Sequence, residues 1–447
     1  MKTLLKNITY VNEGKSLTSD VLICNDRIEK IAENISLPSI EKYQEIDCTG
    51  KILIPGVIDD QVHFRDPGLT HKATIESESK AAVAGGVTSF MDMPNTIPNT
   101  LTQELLEEKY AYAKNHSIAN YSFFMGITQH NLEEALKTDK EWVCGITDDG
   151  LYFNNNSILA NHPEFVEKLF SSTDHLIALH SENESRIEEN FNKYKKIYGE
   201  DIPVKYHGEI RDEIACLDST KTLLKLAKST EARLHLFHVS TGREALLLDN
   251  LTPLRNKKIT AEACVHHLWF NETDYERLGA KIKWNPSIKT EANRALLFDT
   301  LINNHIDIIA SDHAPHLLSE KIGPYAKIMS GAPMVQHNLP CMLEFYKDGK
   351  ISLEQIVQKT CHGPAEIYRM IDRGYIREGY FADLVIIDLY QQSTPKLYYK
   401  CGWGPMESYT FRTKIDKTFV NGQLVFDNEK FVSDSKGKRL QFEKERK

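Results

Sequence analysis

The central part of the chain alternates between short apolar runs and amphipathic segments with helical spacing. LTQELLEEKYAYAKNH and EANRALLFDTLINN are two of the segments in which apolar residues recur every three or four positions. The runs between such segments are almost entirely apolar, which is typical of parallel strands covered on both faces. There are eight of these runs: ILIPGVID, GVTSFMDM, NYSFFMGI, WVCGITDD, HLIALH, RLHLFHVS, KITAEACV and IDIIASDH.

Eight strands, each followed by a helix, over about 320 residues predict an α/β fold of the (β/α)8 TIM barrel type. A doubly wound open sheet is the structural alternative. It is less favoured, because no glycine-rich nucleotide-binding motif follows the first strand.

Both ends of the chain differ from the centre and predict short strands. LLKNITYV lies near the start, and KTFVNGQLVFD near the end contains the hairpin turn Asn421–Gly422. We therefore expect a small β-sandwich domain formed by both termini, residues 1–53 plus 375–447, around a barrel of residues 54–374. The last dozen residues, KGKRLQFEKERK, predict a solvated tail.

Composition narrows the class of protein. The chain has 54 Lys and Arg against 63 Asp and Glu, a formal net charge of -9, which argues against nucleic-acid or anionic-membrane partners. Its eight cysteines are scattered without a Cys-x-x-Cys pair, which favours reduced thiols over disulfides or a thiolate zinc site. The N-terminus turns polar too early for a signal peptide, and no run approaches the ~18 apolar residues of a membrane span. We expect a soluble cytoplasmic protein.

Polar residues follow the predicted strands, at the end of the barrel where active sites lie. A single histidine there would most often be a satisfied core residue. Three histidines and two aspartates after five different strands are difficult to explain as packing, and imidazole and carboxylate are ligands of zinc and similar metals. The residues that follow the strands are His63, Arg65, Asn95, Asp148, Asp149, His180, His238, Asn285, Asp312, His313 and His316.

The stretch PGVIDDQVHFRDPG resembles the first-strand signature of the amidohydrolase superfamily, and of dihydroorotases in particular. Further motifs of the same family match in order from about residue 50 to 370: MPNT, TDDG, ALHSEN, HVST, WNPSIK and SDHAPH. This resemblance implies a zinc-dependent enzyme with one or two Zn2+ per chain, which are held by histidine and aspartate.

Carried over by position, the resemblance implies a role for each metal ligand. Asp149 would bind or bridge the metal where many relatives use a carboxylated lysine, and Asp148 is the neighbouring candidate. His180 and His238 would complete one metal site. His63 and Asp312 would form the second, with Asp312 also the catalytic acid and base.

The resemblance also implies the substrate and the residues that bind it. Arg65, Asn95 and His316 would hold the carboxylate, while Asn285 and the backbone near Gly331 would contact the pyrimidine ring. The reaction would be the reversible hydrolysis of (S)-dihydroorotate to N-carbamoyl-L-aspartate in de novo pyrimidine biosynthesis. Allantoinases and hydantoinases open related rings, but they usually carry the lysine and need no Arg and Asn pair. Relatives are often dimers, so a homodimer is possible.

Gln61 departs from the family pattern, because it stands where the first histidine of His-x-His is expected. An amide oxygen is a poor zinc ligand compared with imidazole. One hypothesis is an active enzyme with a tightly held metal and a weaker second one. The other is a non-catalytic, dihydroorotase-like scaffold for a partner such as aspartate transcarbamoylase. Retention of the remaining site residues favours the first hypothesis.

Two further segments carry expectations. The pair His266–His267 is interpreted as hydrogen-bonded packing near the barrel mouth. The segment Lys321–Gln336 is long and contains glycine, which is typical of an active-site loop that can close over a substrate.

Overall fold

A computed structural model describes residues 2–38, 40, 42–149, 151 and 162–444. Gly150, which ends the TDDG motif, lies outside the described residues. The strands are β1 (Lys2–Asn12), β2 (Lys15–Cys24), β3 (Arg27–Ala32), β4 (Tyr43–Asp47), β5 (Ile52–Pro55), β6 (Val57–Val62), β7 (Val87–Asp92), β8 (Asn120–Phe123), β9 (Met125–Gly126), β10 (Ile146–Thr147), β11 (Ile177–Leu179), β12 (Leu234–Leu236), β13 (Ile259–Cys264), β14 (Ile308–Ala310), β15 (Leu384–Asp388), β16 (Lys414–Val420), β17 (Gln423–Asp427) and β18 (Lys430–Phe431).

The helices begin and end where capping residues and periodicity indicate. Thr102 and Thr290 accept hydrogen bonds at the start of α2 and α11, the two segments singled out by their spacing. The α-helices of the described residues are α1 (Ile75–Ala84), α2 (Gln103–His116), α3 (Leu132–Ala135), α4 (Pro163–Ser172), α5 (Glu184–Tyr198), α6 (His207–Ile210), α7 (Glu213–Thr230), α8 (Gly242–Ala245), α9 (Val265–Trp269), α10 (Asp274–Leu278), α11 (Glu291–Ile302), α12 (Asn338–Lys347), α13 (Leu353–Val357) and α14 (Gly363–Tyr368).

Parallel strands in the centre of the chain confirm the predicted barrel. One sheet runs β6–β7–β8 and the other runs from β9 through β14, each strand pairing with its neighbour in the chain. β8 and β9 are two parts of one run, separated only by Phe124, so the strands occupy eight positions. Val62 pairs in parallel with His313, which joins the last strand to the first. Strand ends that are far apart in sequence therefore meet at one mouth.

The first apolar run, ILIPGVID, is divided between two parts of the molecule. β5 pairs with β1 and β15 in the terminal sheet, whereas β6 is the first barrel strand. Gly56 lies at the division, where a Cβ atom would come within 2.0 Å of Thr88 Oγ1. We predicted a single strand here because continuous hydrophobicity does not show where a chain changes sheets.

Strands from both termini confirm the prediction that the two ends of the chain form a β domain together. They form one continuous nine-stranded sheet in the order β18-β17-β16-β15-β5-β1-β2-β3, with β4 paired to β1. Leu5, Ile8, Val21, Leu53 and Phe419 belong to an apolar core of this domain's own. Because its strands come from both ends, the sheet joins the N-terminal strands to the C-terminal strands.

The prediction of a solvated C-terminal tail is wrong. Leu440 and Phe442 are buried in the same apolar cluster as Phe124 and Phe237 of the barrel. Their spacing of two puts both side chains on one face of an extended segment. That short alternation was hidden in the sequence among lysines, arginines and glutamates.

Two further predictions concerned the state of the cysteines and the presence of membrane-spanning segments. None of the eight cysteines forms a disulfide, and six of them are buried. Among the described residues, no helix is long and apolar enough to cross a bilayer.

Candidate active site

A cavity of about 730 Å3 opens at the mouth of the barrel. Nine of the ten residues to which the sequence assigned site roles line it, and His316 does not. The nine are His63, Arg65, Asn95, Asp149, His180, His238, Asn285, Asp312 and Gly331.

His63 lies between the two aspartates of the predicted metal site. Its Nε2 is 3.2 Å from Asp312 Oδ1 and 3.5 Å from Asp149 Oδ2. Its Nδ1 lies 2.9 Å from the Asn95 amide oxygen, to which it donates a hydrogen bond. Nε2 faces both carboxylates, which favour a proton on it, and once that proton is lost Nε2 offers the lone pair that a metal ligand needs.

The two remaining histidines complete the set of donors. His180 Nδ1 lies 3.1 Å from Asp148 Oδ1, and Asp148, unlike Asp149, is not part of the cavity wall. His238 Nδ1 is buried and has no hydrogen-bond partner among the described residues. Asp148 therefore supports the candidate metal ligand His180 from behind, whereas Asp149 faces the cavity as a candidate metal ligand itself.

The pKa values of these histidine and aspartate side chains reflect the negative charge of the carboxylates among them. Burial disfavours the charged form of His180, but the carboxylate of Asp148 outweighs it and raises the pKa to about 10. Burial also opposes ionisation of Asp149, while the imidazoles of His63, His238 and His180 lower its pKa. Histidine charge compensates the carboxylates here, a role that a divalent cation would take over.

Three of the site residues hold an unusual backbone conformation. Arg65, His238 and Asp312 have φ angles of 65°, 35° and 40°, in the left-handed region that residues with side chains rarely adopt. Such strain persists only where surrounding structure imposes it, and it concentrates at functional sites. It aims these three side chains from the strand ends into the mouth of the barrel.

Gln61 connects the site to β13, which does not pair with its own strand β6. Its amide Nε2 donates to Asp149 Oδ2 at 3.2 Å, and its Oε1 accepts a hydrogen bond from Cys264 Sγ at 3.5 Å. The glutamine therefore orients the Asp149 carboxylate from the position at which the His-x-His pattern predicts a histidine.

Arg65 lies beside the cavity in a region with more positive than negative charge. Its Nη2 lies 3.2 Å from His316 Nε2, and Lys72 Nζ lies 3.1 Å from the other ring nitrogen. Burial and the charge of Arg65 lower the pKa of His316 to about 3, so this imidazole is neutral. Glu320 pairs with Lys72 at 2.8 Å, but no carboxylate of the described residues lies within ion-pair distance of Arg65. His316 therefore positions Arg65 from behind the cavity wall.

The predicted loop Lys321–Gln336 forms part of the wall. Lys283 Nζ donates to the carbonyls of Tyr325 and Ile328, and Lys321 Nζ donates to those of Met329 and Gly331. The N–H of Gly331 donates to the Lys283 carbonyl, so both backbone groups of this residue are already engaged. Gly331 has a φ of 112°, and a Cβ atom would come within 2.6 Å of Ala314 Cβ, so only glycine fits.

Two residues at or behind the cavity wall were not foreseen from the sequence. Lys72 lies in a loop without periodicity, and no signal in the sequence pointed to it. Glu182 lies in the ALHSEN motif and pairs with Arg211 at 2.6 Å on the cavity wall, so its position after the fifth strand could have indicated it.

Several known proteins are similar to this chain over most of its length. The amidohydrolase family pattern matches residues 52–425. A dihydroorotase of Methanosphaera stadtmanae is 31% identical over 425 residues, covering 93% of this chain and 95% of that protein. A dihydroorotase of Pyrococcus abyssi is 31% identical and covers 96% of each. An allantoinase of Deinococcus radiodurans is 28% identical and covers 98% of each.

The solved structure of an L-hydantoinase from Arthrobacter aurescens superposes with a TM-score of 0.91, covering 98% of this chain and 99% of that one. At 24% sequence identity, this match supports the fold alone.

Proposed function

Because this chain belongs to the amidohydrolase family, we propose that it is a dihydroorotase, which reversibly hydrolyses (S)-dihydroorotate to N-carbamoyl-L-aspartate in pyrimidine biosynthesis. The family membership supports a cyclic amidohydrolase, and the curated dihydroorotases among the relatives favour this substrate. Allantoinases and hydantoinases are the competing candidates, since both occur among the similar proteins.

The observation that carries the proposal is the buried Arg65 without a contacting carboxylate. Its side chain is only 4% exposed, lines the cavity, and keeps its charge, since burial lowers its pKa only to about 10. A buried charge without a partner is costly, and a guanidinium offers parallel donors that match a carboxylate. Dihydroorotate has a carboxylate on its ring, whereas allantoin and hydantoin do not.

The donors at the mouth suit a divalent metal such as zinc. His63, Asp149, His180, His238 and Asp312 supply imidazole and carboxylate groups, and His238 Nδ1 lacks any other partner among the described residues. These five residues would hold the ion. When bound there, the metal lowers the pKa of water and polarises a carbonyl oxygen.

The remaining steps belong to the side chains of the chain itself. Arg65 binds the substrate carboxylate, and Asn95 both faces the cavity and orients His63. Asn285 Oδ1 is buried without a partner among the described residues, and it accepts a ring N–H of the substrate. Asp312 takes the proton of the attacking water on its carboxylate and passes it to the leaving ring nitrogen.

A substrate panel tests the proposal. We expect the purified, zinc-loaded protein to turn over dihydroorotate with a much higher kcat/KM than allantoin or hydantoin. Faster turnover of either neutral ring would favour that activity instead. Zinc-containing, folded protein without turnover of any of the three would support the scaffold hypothesis.

Arg65→Gln sharpens the panel, because it removes the charge but keeps a polar side chain. A charge-assisted bond contributes about 1.5–3 kcal/mol, so kcat/KM for dihydroorotate should fall roughly 10- to 100-fold. Any residual activity on hydantoin should change little. An equal loss on both substrates would show that Arg65 does not recognise the carboxylate.

A further inference from the structure

Cys264, His266 and His267 form a compact cluster at the end of β13 and in the helix that follows it, outside the cavity wall. One donor atom of each lies within 4.8 Å of the others, and all three residues are buried. None of them lines the cavity. The other group of described residues with such close donors is Asp60, His235 and Glu262, but Thr260 and Tyr368 already hydrogen-bond to it.

His267 has the tautomer of a metal ligand. Its Nε2 lies 2.9 Å from the carbonyl oxygen of Pro286, which can only accept, so Nε2 carries the proton. The lone pair is therefore on Nδ1, which is buried and has no hydrogen-bond partner among the described residues. Histidines that bind metals commonly donate their second N–H to a backbone carbonyl in this way.

His266 is held in place without hydrogen bonds. Both ring nitrogens are buried and lack a partner of good geometry in the described part of the chain, with only a loose approach of the Ser311 carbonyl. The ring instead stacks on Trp284, with centroids 4.0 Å apart and planes 6° from parallel. The expectation of hydrogen-bonded packing therefore fits one nitrogen of His267 and neither nitrogen of His266. Buried polar atoms normally have partners, so these nitrogens point to an absent one.

We propose that Cys264, His266 and His267 form a second metal site, separate from the cavity, for a thiophilic divalent cation such as Zn2+ or Cd2+. One thiolate and two imidazoles are the ligands that such ions prefer. The five donors at the cavity are nitrogen and oxygen atoms, so the two sites differ in the chemistry they select.

Gln61 couples this site to the cavity. Cys264 Sγ donates its proton to Gln61 Oε1, while the same side chain donates to Asp149. Binding of the cation forms a metal–sulfur bond, and the thiol proton leaves to solvent. Gln61 then loses the donor that holds its oxygen and is free to turn, so occupancy of the site changes the support of Asp149.

Cadmium titration tests the site through a signal that only sulfur ligation produces. The zinc-loaded protein should develop a thiolate-to-cadmium charge-transfer band in the near ultraviolet, with a stoichiometry of one per chain. Cys264→Ser should abolish the band. The matched control is Cys361→Ser, because Cys361 is equally buried but bonds only to the Pro55 carbonyl and Thr360. The control should retain the full band.

His267→Gln provides a second variant, with an expected loss of cadmium affinity of at least about tenfold. A band that persists unchanged in Cys264→Ser would overturn the proposal, and so would the lack of any band in the wild type.

Anomalous diffraction from crystals of the cadmium-loaded wild type avoids dependence on the folding of variants. A peak between Cys264 and His267 supports the site, whereas cadmium found only among the cavity donors overturns it. These readouts do not involve turnover. Failure of the second metal site is thus distinguishable from failure of the proposed dihydroorotase activity.

Discussion

At the scale of single residues, Gln61 changes the interpretation of the proposed metal site. The sequence indicated only a missing ligand, whereas the structure shows an amide that holds Asp149 and accepts from Cys264. Gln61 therefore supports Asp149, one of the proposed metal ligands, from the position where a histidine was expected. It leaves His63 dependent on the two aspartates and on Asn95 for its orientation.

Gln61→His should raise the zinc content of the cavity towards two ions per chain, because imidazole replaces a weak amide ligand. The measurement is elemental analysis after dialysis at a fixed free zinc concentration. Every protein in the comparison should also carry Cys264→Ser, so that only zinc bound in the cavity is counted. Gln61→Leu is the matched control, since it removes the amide without adding a ligand. Equal zinc contents in the histidine and leucine variants would contradict this account.

At the scale of elements, strand ends and one tethered loop build the site. The segment Lys321–Gln336 was expected to be able to close over a substrate, and the structure has it fixed to the wall by two buried lysines. Burial lowers the pKa of Lys283 to about 7 and that of Lys321 well below its ordinary value. These side chains serve mainly as hydrogen-bond donors to loop carbonyls.

Lys321→Met should loosen residues 325–331, because it leaves the carbonyls of Met329 and Gly331 without their donor. Hydrogen exchange of this segment should become faster by at least about tenfold, which corresponds to a cost of about 1.4 kcal/mol in local stability. KM should rise more than kcat falls, since the segment lines the cavity. Lys225→Met on the exposed face of α7 is the control, and equal exchange in both variants would contradict the tether.

At the scale of the whole molecule, both chain ends return to the barrel. The terminal sheet takes β5 from the strand run that opens the barrel, and the final segment inserts Leu440 and Phe442 into a barrel cluster. The segment that contains Leu440 and Phe442 is therefore part of the barrel core rather than an appendage to it.

Phe442→Ala should lower the free energy of unfolding by about 3–5 kcal/mol, the usual cost of truncating a buried phenylalanine. Urea denaturation measures the change. Lys444→Ala is the control, because that exposed lysine makes only surface ion pairs, with Glu141 and Asp139, which contribute little to stability. Equally small effects of both substitutions would contradict the burial of Phe442 and favour a solvated tail.

Stability should also depend on pH through buried histidines. Burial lowers the pKa values of His175, His316 and His337 to about 3. Since the unfolded chain binds these protons near pH 6.5, the stability of the folded state is fully present above that pH. It is lost as the pH falls towards 3, by about 2 kcal/mol per group at pH 5.

His175→Leu isolates one of these groups, because neither of its ring nitrogens has a hydrogen-bond partner among the described residues. The loss of unfolding free energy between pH 7 and pH 5 should be smaller in this variant by about 2 kcal/mol. His130→Gln at an exposed position is the control and should behave like the wild type. An unchanged pH dependence in His175→Leu would contradict a neutral buried imidazole.

The sequence by itself determined the barrel, the sheet from both termini and which residues gather at the mouth. Apolar runs and helical spacing are local properties, and parallel strands bring their ends together whatever fills the space between them. His63, His180, His238 and Asp312 were identified from their positions after the strands for this reason, whereas the choice of Asp149 over Asp148 came from the family resemblance.

Only the tertiary structure decided how these residues are supported. His316 lies behind Arg65 although 251 residues separate them, and Cys264 meets Gln61 across 203 residues. The backbone of Gly331 is occupied by two lysines, and two apolar residues of a charged tail, Leu440 and Phe442, prove to be buried. No periodicity encodes such contacts, because hydrogen-bond partners and burial depend on which surfaces meet after the chain has folded.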